Sequence, residues 1–219
     1  MTWIFLHGLG QAPSAWQPVL RRLESELTVH CPSLSELAAG DPRYPALLSA
    51  LETALDSIPG PLHLCGLSLG GVLAMDYALR HPLRMAEGVA HRHPERVASL
   101  VLCGTPLTMP RNLLRLQDFL FRLMPERAFA GSGFSREAMR QLAGSMAELD
   151  LRPRLPELSC PVLVLCGSKD RANRKAARAL AEQLPQARLH WIAGAGHEAN
   201  LDSPEVMAEL LRGFYQSLS

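Results

Sequence analysis

Ser68 stands in Gly66-Leu67-Ser68-Leu69-Gly70, between the apolar run "PLHLC" and the helical stretch "GVLAMDYALRH". A lone serine on a sharp strand-to-helix turn is the arrangement that exposes a hydroxyl as a nucleophile. Such a turn forces its central residue into a strained backbone, and side chains two positions before and after would collide, which gives Gly66 and Gly70 a steric role. An alcohol attacks only when a base takes its proton, and histidine suits that task near neutral pH. Of eight histidines, His197 in "GAGHEAN" lies in a glycine-flanked loop between the last strand and the last helix. His7 belongs to a glycine loop, where a loop-stabilising hydrogen bond explains it, and the others fall within strands or in a histidine-rich near-repeat. The base needs a carboxylate to hold its tautomer, and Asp170 in "VLVLCGSKD" directly follows a strand. The plainer role for Asp170 is an N-cap on the helix beginning near residue 173. A tetrahedral intermediate also needs two donors for its oxyanion; the backbone N–H groups of Leu69 and of Leu9, in His7-Gly8-Leu9-Gly10, are the natural pair.

These residues need elements to position them. Short apolar runs at 2–6, 27–31, 62–65, 97–103, 162–166 and 188–192 alternate with stretches of helical periodicity. Near-continuous hydrophobicity over four to seven residues predicts strands covered on both faces, and the alternation predicts an α/β, mostly parallel six-stranded sheet. Ser14 to Gln17 has capping-box spacing, and Ser203-Pro204 opens the last helix. Helical stripes recur at 44–58 and 173–184. Between 105 and 156 no strand is predicted, only helices over 111–124 and 135–150. This reads as a helical cap inserted into one core made of 1–104 and 157–219, a single domain overall. Leu113, Leu116, Phe119 and Leu120 are its candidate acyl-binding side chains. Ala78-Leu79-Arg80-His81-Pro82 nearly recurs as Ala90-His91-Arg92-His93-Pro94, a local duplication rather than a solenoid.

Composition narrows the function. The chain has 219 residues, 47% apolar and 20% charged, with a net charge of +1, which fits a globular protein and gives no broad basic field for nucleic acid. The first residues lack a basic leader, and no apolar run is long enough to span a membrane, so a cytoplasmic protein is expected. Five cysteines without CxxC spacing argue for free thiols and against a disulfide framework or zinc site. The chemistry outlined requires no metal or organic cofactor, and nothing in the sequence sets an oligomeric state.

The order HGLG, GLSLGG, GSKD, GAGH resembles the α/β-hydrolase superfamily over nearly the whole chain outside 105–156, and most resembles its small serine carboxylesterases and lipase-like enzymes. The resemblance implies a Ser68, Asp170, His197 triad with Leu9 and Leu69 as oxyanion donors, acting on a small-molecule ester or related acyl substrate. Three departures stand out: the sheet is expected to lack the two N-terminal strands of the usual eight, "CPSLSELAAGDP" replaces a common glycine-bearing loop, and the near-repeat precedes the usual single "HPERV". Serine at the elbow argues against the dehalogenases and epoxide hydrolases of similar fold, which use aspartate. The alternatives are C–C hydrolysis, a lyase step or perhydrolysis on the same triad, and a non-catalytic small-molecule binding protein on this scaffold.

Overall fold

The structure, a computed structural model, describes residues 2–23, 28–81, 96–109 and 111–218, with side chains left out at 111–113. Most of the near-repeat, residues 82–94, lies outside the described residues.

Six strands form one sheet in the order β2-β1-β3-β4-β5-β6: β1 (Thr2–Leu6), β2 (Thr28–His30), β3 (Leu62–Leu67), β4 (Val97–Cys103), β5 (Val162–Gly167) and β6 (Ala187–Ile192). Every pairing is parallel, with Ile4 beside Leu64, Leu64 beside Leu100, and Leu100 beside Val162. The expected α/β sheet of six strands is present. Burial on both faces holds for the inner strands but not for the edges. β2 is largely exposed, and β6 presents Arg188, His190 and Trp191 to solvent, since an edge strand has only one sheet neighbour and tolerates polar residues along it.

The two-residue side-chain period splits the apolar residues into two cores. Ile4, Leu6, Leu64, Leu100, Leu102 and Val164 face one side, where they meet α3 (Tyr44–Asp56), α4 (Leu69–Arg80) and α7 (Arg174–Gln183). Phe5, Cys65, Leu67, Val101, Cys103 and Leu163 face the other, against α1 (Gln17–Leu20) and α9 (Pro204–Gln216). α4 is buried from Leu69 through Leu79, as a helix that is apolar on nearly all sides must be. Its Asp76 is buried and accepts a 2.9 Å hydrogen bond from the Tyr44 hydroxyl, fastening α3 to α4. The remaining helices are α2 (Leu34–Leu37), α5 (Arg111–Leu123), α6 (Arg136–Ser145) and the single turn α8 (Ala199–Asp202).

Two local expectations are corrected. Ser14 is not a cap: a 3₁₀ turn runs over Pro13–Trp16 from Ala12 with no side-chain cap, because Pro13 fixes the first helical φ one residue earlier. The helix expected over 135–150 ends at Ser145, and Asp150 pairs in an antiparallel bridge with Thr108, drawing the two ends of segment 105–156 together. The "CPSLSELAAGDP" stretch holds α2, whose N-cap Ser33 accepts from the Glu36 N–H. No helix among the described residues is long and apolar enough to cross a membrane.

Candidate active site

Ser68 joins β3 to α4 at φ 52° and ψ −114°, and among the described residues it alone, other than glycines, has positive φ. Two backbone bonds hold it there: its N–H donates to the Cys103 carbonyl at 2.8 Å, and its carbonyl accepts from Val72 N–H at 3.0 Å. The flanking glycines are obligatory. A Cβ on Gly66 would lie 2.3 Å from the Gly70 carbonyl, and one on Gly70 would lie 2.1 Å from the Leu6 carbonyl oxygen. The turn therefore nests against the end of β1, which brings the loop carrying Leu9 beside it.

That loop is fastened through His7, which is fully buried. Its Nε2 accepts from the Leu34 N–H at 3.2 Å, so Nδ1 carries the proton and donates to the Gly8 carbonyl at 3.0 Å. Burial lowers the pKa of His7, which keeps the ring neutral as this bonding requires. Leu9 and Leu69 both line the cavity onto which Ser68 opens, and neither N–H donates to a backbone carbonyl among the described residues. Leu69 is the first residue of α4, where an N–H has no partner within the helix and the dipole is positive.

Asp170 follows β5 and is buried; His197 lies on the loop after β6. His197 Nδ1 and Asp170 Oδ2 are 2.8 Å apart. The loops can approach this closely because Gly167 has no side chain: a Cβ there would meet the Gly196 carbonyl oxygen at 2.0 Å. Gly104, at φ +53°, backs the pair, and a Cβ there would sit 3.1 Å from both Asp170 Oδ2 and His197 Nδ1. The bond to Asp170 raises the pKa of His197 against the opposing effect of burial. Burial pushes the Asp170 pKa up, but hydrogen bonds from His197 and Asn173 outweigh it and leave the carboxyl below its ordinary value.

Two groups of residues escaped the sequence reading. Asn173 Nδ2 donates to Asp170 Oδ1 at 3.0 Å and Oδ2 at 2.9 Å, and its backbone N–H lies 3.3 Å from Oδ1. Asp170 is not the N-cap considered for it: that position falls to Asn173, with no side-chain cap, and Asp170 Oδ1 accepts within the preceding turn instead. Asn173 Nδ2 lies 3.2 Å from His197 Nδ1 as well, but when Nδ1 donates to Asp170 it has no lone pair to offer, and the amide belongs to the carboxylate. In the second group, Gln11 Nε2 donates to Glu198 at 2.9 Å and to Asn200 Oδ1 at 3.3 Å, while Gln11 Oε1 accepts from Gly8 N–H at 3.2 Å. These bonds tie the Leu9 loop to the His197 loop. The signal in the sequence is three amides, Gln11, Asn173 and Asn200, each a few residues from a chemical motif.

Ser68 and His197 line one cavity of about 760 Å³. No hydrogen bond joins them, and the Ser68 hydroxyl has no partner among the described residues; such contacts often tighten only with substrate bound. The far wall is Gln117, Phe121 and Met124 of α5 and its C-terminal end, Phe129, and Met139 and Met146 of α6 and its C-cap. The acyl-binding candidates on α5 are therefore corrected. Leu116, Phe119 and Leu120 are 54%, 57% and 49% exposed and line no part of this cavity, because α5 turns the stripe 117, 121, 124 inward; Leu113 lies outside the described side chains. No group of three or more metal-ligating side chains occurs among the described residues.

The alpha/beta hydrolase family model matches residues 3–210. The chain belongs to the alpha/beta hydrolase family. Within the family it is 28% identical to the pimeloyl-[acyl-carrier protein] methyl ester esterase of Aromatoleum aromaticum, with 95% of each chain covered. Among solved structures of the fold, it superposes on a thermophilic esterase from Thermogutta terrifontis with a TM-score of 0.75 at 20% identity, covering 100% of this chain and 90% of that one. The enol-lactonase from Burkholderia xenovorans gives 0.71 at 20% identity, with 98% and 91% covered.

Proposed function

We propose that Ser68 is the nucleophile, His197 the base and Asp170 the orienting acid of a carboxylic ester hydrolase, with the N–H groups of Leu9 and Leu69 receiving the oxyanion. The observation that carries this reading is His197, bonded to Asp170 at 2.8 Å, on the wall of the cavity that Ser68 also lines. The protein is an ester hydrolase. With Nδ1 protonated toward Asp170, His197 Nε2 is free to take the Ser68 proton as Oγ attacks the ester carbonyl. The carbonyl π electrons move to oxygen, and the two N–H groups stabilise the anion. Collapse breaks the bond to the alcohol, which leaves with the proton from His197. Water, deprotonated by the same imidazole, then releases the acid from the acyl-enzyme.

The substrate we propose is an acyl methyl ester carried on an acyl-carrier protein. Two features support it: the named activity of the Aromatoleum relative, and a cavity walled by methionine and phenylalanine that suits a flexible acyl chain. Segment 105–156 acts as the cap over that chain, and no cofactor takes part. A fluorophosphonate probe tests the assignment. The wild type is expected to take up one adduct on Ser68, and Ser68→Ala to lose labelling together with at least about a thousandfold of turnover. Labelling that persists in Ser68→Ala overturns the nucleophile.

A further inference from the structure

Charges on the two sides of the cavity are handled differently. On segment 105–156, Arg122, Arg136, Arg140, Arg152 and Arg154 each pair with an acidic side chain, and among the described residues only Arg115 and Arg127, twelve positions apart, are exposed arginines without an ion pair. On the loop after β5 and along α7, Lys169, Arg171, Arg174, Lys175 and Arg178 are exposed or half-buried, and among the described residues none forms an ion pair. In a chain of net charge +1, five uncompensated cations within ten residues are a local excess. The one acidic side chain within that stretch, Asp170, is buried and bonded to His197.

The patch is also organised. Arg174 and Arg178, one helical turn apart, lie over the ring of Trp191 on β6, with guanidinium carbons 5.6 and 5.7 Å from its centroid. The ring is 38% exposed, so it braces both arginines at the surface and reduces the side-chain freedom they would lose on binding. Lys175 lies on the cavity wall, in line with Ala176 and Ala179. The cations therefore run from the rim of the cavity to the edge of the sheet.

We infer that this face, made by the loop after β5, α7 and Trp191, docks an acidic surface of the carrier protein that presents the acyl ester, with Lys175 where the face meets the cavity rim. This rests on the carrier-linked substrate proposed above. A small anion would occupy one or two of these cations, whereas the five extend from the cavity rim along α7 to Trp191 at the sheet edge, which matches an extended acidic face.

The test compares one ester in two contexts: pimeloyl methyl ester on acyl-carrier protein, and dimethyl pimelate free of carrier. Arg171→Glu/Arg178→Glu is expected to lower kcat/KM for the carrier-bound ester about tenfold, mainly through KM, and to leave the free diester within about twofold. Wild-type activity on the carrier-bound ester is expected to fall between about 50 and about 500 mM sodium chloride, and that of the variant to change less. Should circular dichroism show the variant unfolded, Arg171→Gln/Arg178→Gln carries the same expectation with a smaller loss. Unchanged kcat/KM on the carrier substrate overturns the docking face, as does a loss produced instead by Arg115→Glu/Arg127→Glu on segment 105–156. A wild type that cleaves the free diester but never the carrier-bound one overturns the carrier-linked substrate itself.

Discussion

The carboxylate of Asp170 faces two nitrogen donors at once, His197 Nδ1 and Asn173 Nδ2, and this decides how the site titrates. In the proposed role of base His197 works only when neutral, and its pKa is raised from the ordinary 6.5 chiefly by the bond to Asp170. The acid limb of kcat/KM is therefore expected above pH 6.5, measured on a free ester. Asn173→Ala removes the amide that shares the carboxylate, leaves more of its charge to the imidazolium, and moves that limb further up while lowering kcat by about tenfold. A limb that stays in place would make Asn173 a packing residue. The same pair contributes to stability with a defined sign. Asp170 has a lowered pKa, so its share is lost as pH falls below the ordinary 3.8; His197 has a raised one, so its share is lost as pH rises above 6.5. The contribution is complete between those values. Ser68, Asp170 and His197 could be read from sequence because glycine punctuation marks the turn and the loops that carry them. Asn173, Gln11 and Asn200 could not, because an amide near a helix start looks like an ordinary turn residue until tertiary contacts bury it.

At the level of elements, glycines in α4 and α9 make opposite demands. Gly70→Ala would drive a methyl group into the Leu6 carbonyl at the crossing of β1 and α4. A cost of about 1–3 kcal/mol or more is expected, with a lower Tm and loss of fluorophosphonate labelling. Gly213 lies inside α9 with open space within 4 Å of where a methyl group would sit, so Gly213→Ala is expected to stabilise the protein by up to about 1 kcal/mol without altering turnover. Strand positions were legible because parallel strands buried on both faces are apolar without interruption. The orientation of α5 was not. It carries one apolar stripe through Leu116, Leu120 and Leu123 and another through Leu114, Phe121 and Met124, and helical periodicity gives both without saying which faces the cavity. The edge-on contact of Phe121 with Phe129, with centroids 5.5 Å apart, accompanies the second.

Over the whole molecule, one buried cation joins layers that are distant in sequence. Arg96, just before β4, donates to the Tyr77 hydroxyl at 3.1 Å and to the carbonyls of Ile58 at 2.9 Å and Gly60 at 2.6 Å, and it also bonds the Leu55 carbonyl. It closes the C-terminal end of α3 against α4 and the start of the sheet. Arg96→Met strands several of those acceptors and is expected to lower stability by about 3 kcal/mol or more in urea unfolding, with kcat on the remaining folded protein unchanged. The sheet has a further consequence, in time rather than space. Gly66, Ser68 and Gly70 need only β1, β3, β4 and α4 to form the strained turn, so the proposed nucleophile can be in place early in synthesis. The acid and base proposed for it follow β5 and β6, later in the chain. On the proposed assignment, until β6 aligns beside β5 Ser68 is a bent backbone with no proton acceptor, and an unfinished chain is not expected to hydrolyse the esters around it.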